Sequence, residues 1–558
     1  MALGSARRGR WLGLGVLLVM SALVAGTVHS YMWRVYLPSF NTSNTPLAGV
    51  PRARSEIPPA PTLSRRLVVV ILDGVGFDQV GRIGALAPLA ARGVLRGTAV
   101  EFPSFTSPAL VSFVTGAVPR DTGVRLNGAA DGVPGLDSIP RVAEEAGVVV
   151  QIRSRGWKPF QSLMRPGPSA DIRLGGLGYV LETLRGRARG ELAAVELPQR
   201  EATGPARELR FVYVGEPDDV AHDHGTVSRE FEEALEIAGT VVRRTVAAID
   251  LEQDSLVVMS DHGHRPEGGH GGVEPVVMRA FFLAAGPFVR RGVVLPDRPL
   301  RDVASTLAVL AGLPTPSSNT GRPMLDALER SDEQRALAFA APFDQSSRHL
   351  CTLAPASGCE RAAAITARLQ KGDAPALREA EALSDELFSA RARTLDARAE
   401  GARTRRFVLA AALVAALLSA LVYTRRRLDR NAPGWIVLLP LVHIAVYGAA
   451  LWSRGYRPTF STIPAMSVFL RDSFLAGAFA ALIVFLIALV RRGGPLSAWT
   501  TLAGTALPFL LLAAWVGSDP RMLPPPVAGL LVFYTAPAVL FGAIGAAALG
   551  ILAARRGI

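Results

Sequence analysis

A chain of 558 residues and 59.1 kDa exceeds one ordinary domain. With 49% hydrophobic residues, only 19% charged residues and a mean hydropathy of +0.29, it is neither a disordered chain nor readily a wholly soluble one. The net charge of +13 gives no basic stripe: fourteen arginines sit beside long uncharged runs, so nucleic acid is not an expected partner. Two cysteines exclude a disulfide scaffold or a thiolate zinc cluster.

In chain order, a basic start at Arg7, Arg8 and Arg10 (residues 1–10) leads into the uncharged stretch Trp11–Trp33, long enough to cross a membrane. A retained span is favoured over a cleaved signal peptide, because the apolar run is long and Tyr31 and Trp33 resemble an interfacial anchor. Residues 34–64 are rich in proline, serine and threonine and read as an extended linker. From 65 to 345, short β-branched runs alternate with helical stretches, the pattern of an α/β sheet. Residues 346–406 hold Cys351 and Cys359, a candidate disulfide, then an Ala/Arg/Glu/Leu-rich stretch. There Leu377, Leu383, Leu387, Phe388 and Leu395 fall at helical spacing, which predicts a helical stalk.

Residues 407–558 contain five further uncharged stretches: Phe407–Thr424, Gly434–Ser453, Ser473–Val490, Leu496–Ser518 and Val527–Ala554. Trp435, Trp452 and Trp499 lie near their ends. With Arg7–Arg10 in the cytoplasm, alternation returns Arg425–Arg430, Arg491–Arg492 and Arg555–Arg556 to the same side. Arg403, Arg405 and Arg406 form the one contrary cluster. The expected layout is one N-terminal and five C-terminal spans, with 34–406 facing outward and lipid as a standing partner. Arginine outnumbers lysine 58 to 2, a composition suited to a GC-rich bacterium. The outward side would then be the periplasm and the membrane the inner one.

Chemistry concentrates at the ends of apolar strands. Leu67–Leu72 ends at Asp73; Phe211–Val214 runs into Glu216, Asp218 and His222; Leu256–Met259 ends at Asp261 and His262, with His270 following among glycines. Ligands gather at the carboxyl ends of strands in open α/β sheets, so these groups are expected to converge. Three of these carboxylates, Asp73, Asp218 and Asp261, and three imidazoles in one place need a cation, and the mixed oxygen and nitrogen donors suit zinc or a similar transition metal, manganese included. Each piece alone is weak: Asp218 and His222 four residues apart are more often a surface pair. However, five of the eight histidines fall between 222 and 270. Thr106 precedes Pro108 and an apolar run to Val114, which places it at a helix N-terminus, either as a simple cap or as a nucleophile facing metals.

Over residues 65–345 these motifs resemble the type I phosphodiesterase/nucleotide pyrophosphatase branch of the alkaline phosphatase superfamily. The layout is similar to that of the GPI ethanolamine phosphate transferases. The resemblance lies in Asp73, in Thr106 within a Pro-x-x-Thr-x-Pro segment, in Glu216-Pro-Asp218-x-x-x-His222-x-x-Gly225, in Ser260-Asp-His-Gly263 and in His270. It implies an alkaline-phosphatase-like, mostly parallel sheet with helices on both faces, and two divalent metals, most simply Zn2+. Asp73, Asp261 and His262 would hold one metal beside Thr106; Asp218, His222 and His270 would hold the other; Asn127 would bind phosphate. The implied activity is cleavage of a phosphodiester, lipid-linked or membrane-proximal, through a phosphothreonine. The acceptor is water in a hydrolase or an alcohol in a transferase, and a phospholipid or lipid-linked glycan is a fitting substrate. Soluble diesters are the alternative. Two departures are Ala221, where the motif has glycine, and Ala109, where the pyrophosphatases carry asparagine. His224 and His264 match nothing in the motif and read as supporting or surface residues. A sulfatase is disfavoured because Thr106 and Leu110 replace its Cys/Ser and Arg; a non-catalytic module, because no ligand is lost. A transporter is disfavoured because only His29 and His443 are ionisable within the spans.

Overall fold

The computed structural model describes residues 47, 50, 53–125, 127, 136–154, 164, 171–174, 207–425, 432–456 and 459–462, with scattered positions from 471 to 487. The central strand β1 (Arg66–Leu72) is an almost unbroken apolar run because both of its faces are covered. Leu67, Val69 and Ile71 enter one hydrophobic cluster, and Val68, Val70 and Leu72 enter another on the opposite side. That is the period-two alternation of a strand. Each such side chain, fully withdrawn from water, contributes about 1.5–3 kcal/mol relative to exposure.

Eight further strands complete one sheet: β2 (Gly93–Ala99), β3 (Val149–Ser154), β4 (Asp171–Leu174), β5 (Glu208–Val214), β6 (Ser255–Met259), β7 (Arg279–Ala285), β8 (Val293–Val294) and β9 (Arg298–Pro299). Their order is β4-β3-β5-β1-β6-β7-β2-β8, with β9 also on β2. Strands β4, β3, β5, β1 and β6 run parallel, whereas β7 is antiparallel to both β6 and β2. The sheet is therefore mixed, with a parallel heart. Its register sets Leu72 beside Val214 and Ile71 beside Met259, which brings the ends of β1, β5 and β6 together.

Helices cover both faces, as expected. The helix Arg229–Ala247 packs Phe231, Leu235, Ala238 and Val242 on one side. On the other side lie the helices Thr106–Thr115, Asp302–Ala311 and Asp332–Leu353, the last opened by a Ser331/Gln334 capping box. Cys351 and Cys359 are joined by a disulfide between the end of that helix and the helix Cys359–Leu369.

Two segments behave differently from a linker and a stalk. Residues 53–64 lie on the domain: Ser55 Oγ donates to Asp344 (2.6 Å), Arg54 pairs with Asp137 (2.7 Å), and Ile57 and Leu63 pack against the core. The helix Ala374–Arg425 buries Leu377, Leu383 and Leu387 in the same core, and Arg391 forms a buried ion pair with Asp121 (2.6 Å). One compact unit accordingly runs from Asn41 to Asp396; the other comprises Met1–Phe40 and Ala397–Ile558.

Of the six uncharged stretches, Trp11–Trp33, Leu496–Ser518 and Val527–Ala554 lie outside the described residues. Phe407–Thr424 falls within the helix Ala374–Arg425, and Gly434–Ser453 within the helix Ala432–Ser453. Only scattered helical positions of Ser473–Val490 are described. Among the described residues no helix is long and apolar enough to cross a membrane.

Candidate metal centre

The site forms where the parallel strands end. Asp73 comes directly after β1, and its backbone N–H donates to Val214 O (3.0 Å) at the end of β5. Asp261 lies just beyond β6, and its Oδ1 accepts from the amides of Gly74 (3.2 Å) and His262 (3.0 Å). Ser260 ties the two loops, accepting from Val75 N–H and donating to His262 O. Gly263 is required by close approach, since a Cβ there would lie 2.2 Å from Val276 O. Asp218 and His222 occupy successive turns of the helix Glu216–His224, which starts directly after β5. His270 lies on the loop before β7, where its Nδ1–H donates to Ser104 O (2.9 Å) and its ring meets Phe105 edge-on.

These residues gather into two groups whose ligand atoms lie within 4.8 Å of one another: Asp73, Asp261 and His262, and Asp218, His222, His264 and His270. The groups adjoin, because the His262 and His270 rings stack with centroids 3.8 Å apart. Thr106 is the first residue of its helix. The N-cap is Phe105 and makes no side-chain cap hydrogen bond, and the Thr106 hydroxyl lies 3.1 Å from His262 Nε2. Asn127 Oδ1 accepts from the Ser107 amide (2.9 Å), one residue beyond Thr106. Every sequence-predicted metal residue, with Thr106 and Asn127, is thus placed at one site. Cys351 and Cys359 belong to the helical region instead.

The donor set fits divalent cations. Asp73 Oδ1 and Asp261 Oδ2 are buried with no hydrogen-bond partner and stand 3.3 and 3.4 Å from His262 Nε2. Such orphaned carboxylate oxygens are costly without a counter-charge. Because His270 Nδ1 donates to a carbonyl, its Nε2 carries the lone pair, and that lone pair faces His222 Nε2 at 3.0 Å.

The electrostatics differ across the centre. Burial pushes the Asp73 carboxyl well above its usual range, and the neighbouring Asp261 and Asp218 push the same way. Burial also raises Asp261, against the opposing His262. Asp218 is held well below its usual range: burial opposes this, but His222 and the hydrogen bond from His264 outweigh it. Burial depresses His270 strongly and His264 to about 4.

Sequence reasoning left His264 between a supporting and a surface role and missed Tyr213. His264 is fully buried inside the second group, whereas His224 is exposed. Tyr213, on β5, donates its hydroxyl to Asp73 Oδ2; the only signal was its place next to last in the strand beside β1. The two motif departures are core positions. Ala221 and Ala109 are both buried in the hydrophobic clusters, where a methyl group is accommodated.

The sequence profile of the family described as type I phosphodiesterase / nucleotide pyrophosphatase matches residues 67–138 and 148–301, a range that includes every metal residue, Thr106 and Asn127. The chain is 24% identical over 334 residues to the catalytic subunit of GPI ethanolamine phosphate transferase 3 from Mus musculus, covering 53% of this chain and 28% of that protein. It is 30% identical over 143 residues to the 2,3-bisphosphoglycerate-independent phosphoglycerate mutase of Ruegeria pomeroyi, covering 24% and 27% respectively. The chain thus spans little more than a quarter of the curated relatives it matches. Among solved structures, murine ectonucleotide pyrophosphatase/phosphodiesterase 5 is similar at 15% identity, covering 45% of this chain and 95% of that one, with a TM-score of 0.36. Over residues 67–138 and 148–301 the chain is thus similar to the type I phosphodiesterase / nucleotide pyrophosphatase family that its motifs resemble.

Proposed function

We propose that the chain is a membrane-attached, outward-facing enzyme that cleaves a lipid-linked or membrane-proximal phosphodiester with two divalent metals and Thr106. The observation that carries this reading is the placement of the Thr106 hydroxyl, uncommitted to capping and 3.1 Å from His262, beside two adjoining clusters of metal-type ligands. Asp73, Asp261 and His262 would hold one ion, and Asp218, His222 and His270 the other. When bound, the ions would lower the pKa of the Thr106 hydroxyl and neutralise charge on the phosphoryl oxygens.

The chain's own residues then account for the rest. Thr106 Oγ1 gives up its proton, bonds to phosphorus and displaces one ester oxygen, which leaves as an alcohol. The Ser107 amide donates to Asn127 Oδ1 (2.9 Å), which leaves the Asn127 side-chain NH2 as the donor for an equatorial phosphoryl oxygen. Buried walls around Asp73, Asp261 and His262 keep bulk water from that half of the site. Water or an alcohol next displaces the threonine, regenerating its hydroxyl and giving ping-pong kinetics.

Membrane attachment is supported by the six uncharged stretches and their cytoplasm-facing arginine clusters, and the Cys351–Cys359 disulfide suits an oxidising compartment. A lipid-linked substrate is supported by that layout together with the similarity to a protein named as a GPI ethanolamine phosphate transferase. The test uses detergent-purified, zinc-loaded protein beside Thr106→Ala, assayed on bis(p-nitrophenyl) phosphate, on the monoester p-nitrophenyl phosphate, and on phospholipid with an alcohol acceptor. Thr106-dependent head-group transfer from lipid is the expected result. Diester turnover indifferent to lipid would leave a phosphodiesterase of soluble substrates. Activity surviving Thr106→Ala would overturn the mechanism.

A further inference from the structure

We infer that His264 is a positioning residue for the second metal cluster: its Nε2–H holds Asp218 Oδ1, leaving Asp218, His222 and His270 to take the cation. The inference rests on the two-metal reading of the site. His264 Nε2 lies 2.7 Å from Asp218 Oδ1, the length of a charge-assisted hydrogen bond. The other two imidazoles stand farther from the same carboxylate, His270 Nε2 at 3.4 Å from Oδ1 and His222 Nε2 at 3.6 Å from Oδ2. Atoms sharing a tetrahedral zinc at its usual bond lengths lie about 3.3 Å apart, so the longer pairs have the spacing of co-ligands and the short one does not.

The surroundings are shaped for this ring. Gly74 has φ +73°, and a Cβ on it would come within 2.8 Å of His264 Cδ2 and Nε2. The turn after β1 therefore leaves a slot that only glycine keeps open. His264 is wholly buried and meets the His222 and His270 rings edge-on, at 4.9 and 4.8 Å, so it cannot swing away from Asp218. Its Nδ1 has no hydrogen-bond partner, which suits a neutral imidazole with its single proton on Nε2. A catalytic site also needs one open metal position. Three protein ligands leave it open, whereas a fourth would close it. A ligating carboxylate held from outside in this manner has its geometry fixed before the metal arrives.

The experiment titrates metal-stripped, detergent-purified full-length protein with Zn2+ against a chromophoric chelator, for the native chain, His264→Phe and His264→Gln. The native chain should bind two equivalents. His264→Phe should weaken one of them by about 10–100-fold and spare the other. His264→Gln, which keeps an N–H donor, should recover most of that loss. With Co2+ in place of zinc, the native chain and His264→Gln should share one absorption pattern, because no ligand has changed. His264→Ala, which cannot overpack, makes the same test where the phenyl ring disturbs folding. Unchanged affinities in both His264→Phe and His264→Ala would overturn the inference. So would a Co2+ spectrum of His264→Gln altered like that of His270→Ala, since it would make His264 itself a ligand. Failure of the native chain to bind two equivalents would instead refute the metal reading, and the inference with it.

Discussion

The two halves of the metal centre stand side by side and are built differently. Asp73, Asp261 and His262 are almost wholly buried at the ends of β1 and β6, with two carboxylates for one imidazole. Asp218, His222 and His270, with His264 behind them, are imidazole-rich, and the Asp218 and His222 side chains are 14% and 26% exposed. Rigid strand ends hold the first group; a helix and a glycine-rich loop hold the second. The nucleophile candidate touches the first group, and the second group is the more open of the two. One end of the sheet can thus furnish two ligand environments, according to whether a strand ends in a tight loop or runs into a helix.

Removing a ligand from each half probes this contrast most severely. Asp261→Asn is expected to lower kcat/KM on a diester by about a thousandfold or more, on the scale of losing one member of a catalytic unit. His270→Ala is expected to cost less, because the Thr106 hydroxyl lies against His262 of the other group. Equal losses in steady-state assays would argue against an unequal division of labour.

Chelation comes next in size. Dipicolinate is expected to remove zinc in two phases. The fast phase should release one equivalent from the partly exposed second group, and the slow phase the ion beside buried Asp73 and Asp261. Metal released over time, read by a colorimetric indicator, checks this. A single phase would contradict the difference in exposure.

The metal-free protein offers a subtler contrast, because the two halves titrate with opposite sign. Burial raises Asp73 and Asp261, so the folded state keeps protons that the unfolded chain releases above its carboxyl pKa of 3.8. Their contribution is lost as pH rises from there through the raised folded values. His264 and His270 are depressed, so the unfolded chain binds protons below 6.5 that the folded state refuses, down to about 4 for His264. Their contribution is lost as pH falls through that window. Thermal melts of the apo form should therefore show Asp73→Asn raising Tm at pH 7, by about 1–2 °C for each kcal/mol relieved. His270→Gln should flatten the decline between pH 6.5 and 4. Parallel shifts in both variants at one pH would refute the opposition of sign.

The smallest effect on the centre is expected from the disulfide. Cys351→Ser with Cys359→Ser opens a crosslink with a sequence separation of 8, worth about 2.5 kcal/mol in the loop-entropy account. Tm should fall while zinc stoichiometry and kcat stay unchanged.

The sheet and most of the centre were legible because the signal is local. Apolar runs at 67–72, 211–214 and 256–259 each end on a carboxylate, and Pro108 after Thr106 marks a helix start. The rest depends on partners distant in sequence. Nothing in Ser-Asp-His-Gly-His tells which way His264 turns, since that is set by the slot at Gly74 in the turn after β1. The helical spacing of Leu377, Leu383 and Leu387 was readable, but not that they enter the catalytic core rather than a free stalk, which Asp121 and Arg391 help fix. Residues 53–64 look like a tether by composition, yet their polar groups find Asp137, Asp344 and Gln345.

A two-metal reaction through Thr106 leaves a covalent trace that can be trapped. Zinc-loaded protein is mixed with bis(p-nitrophenyl) phosphate, quenched in acid within milliseconds, digested and examined by mass spectrometry. The expected result is one p-nitrophenol released per nitrophenyl-phosphoryl group found on the Thr106 peptide, with no adduct in chelated protein. Burst release of p-nitrophenol with an unmodified Thr106, or an adduct on another residue, would contradict it.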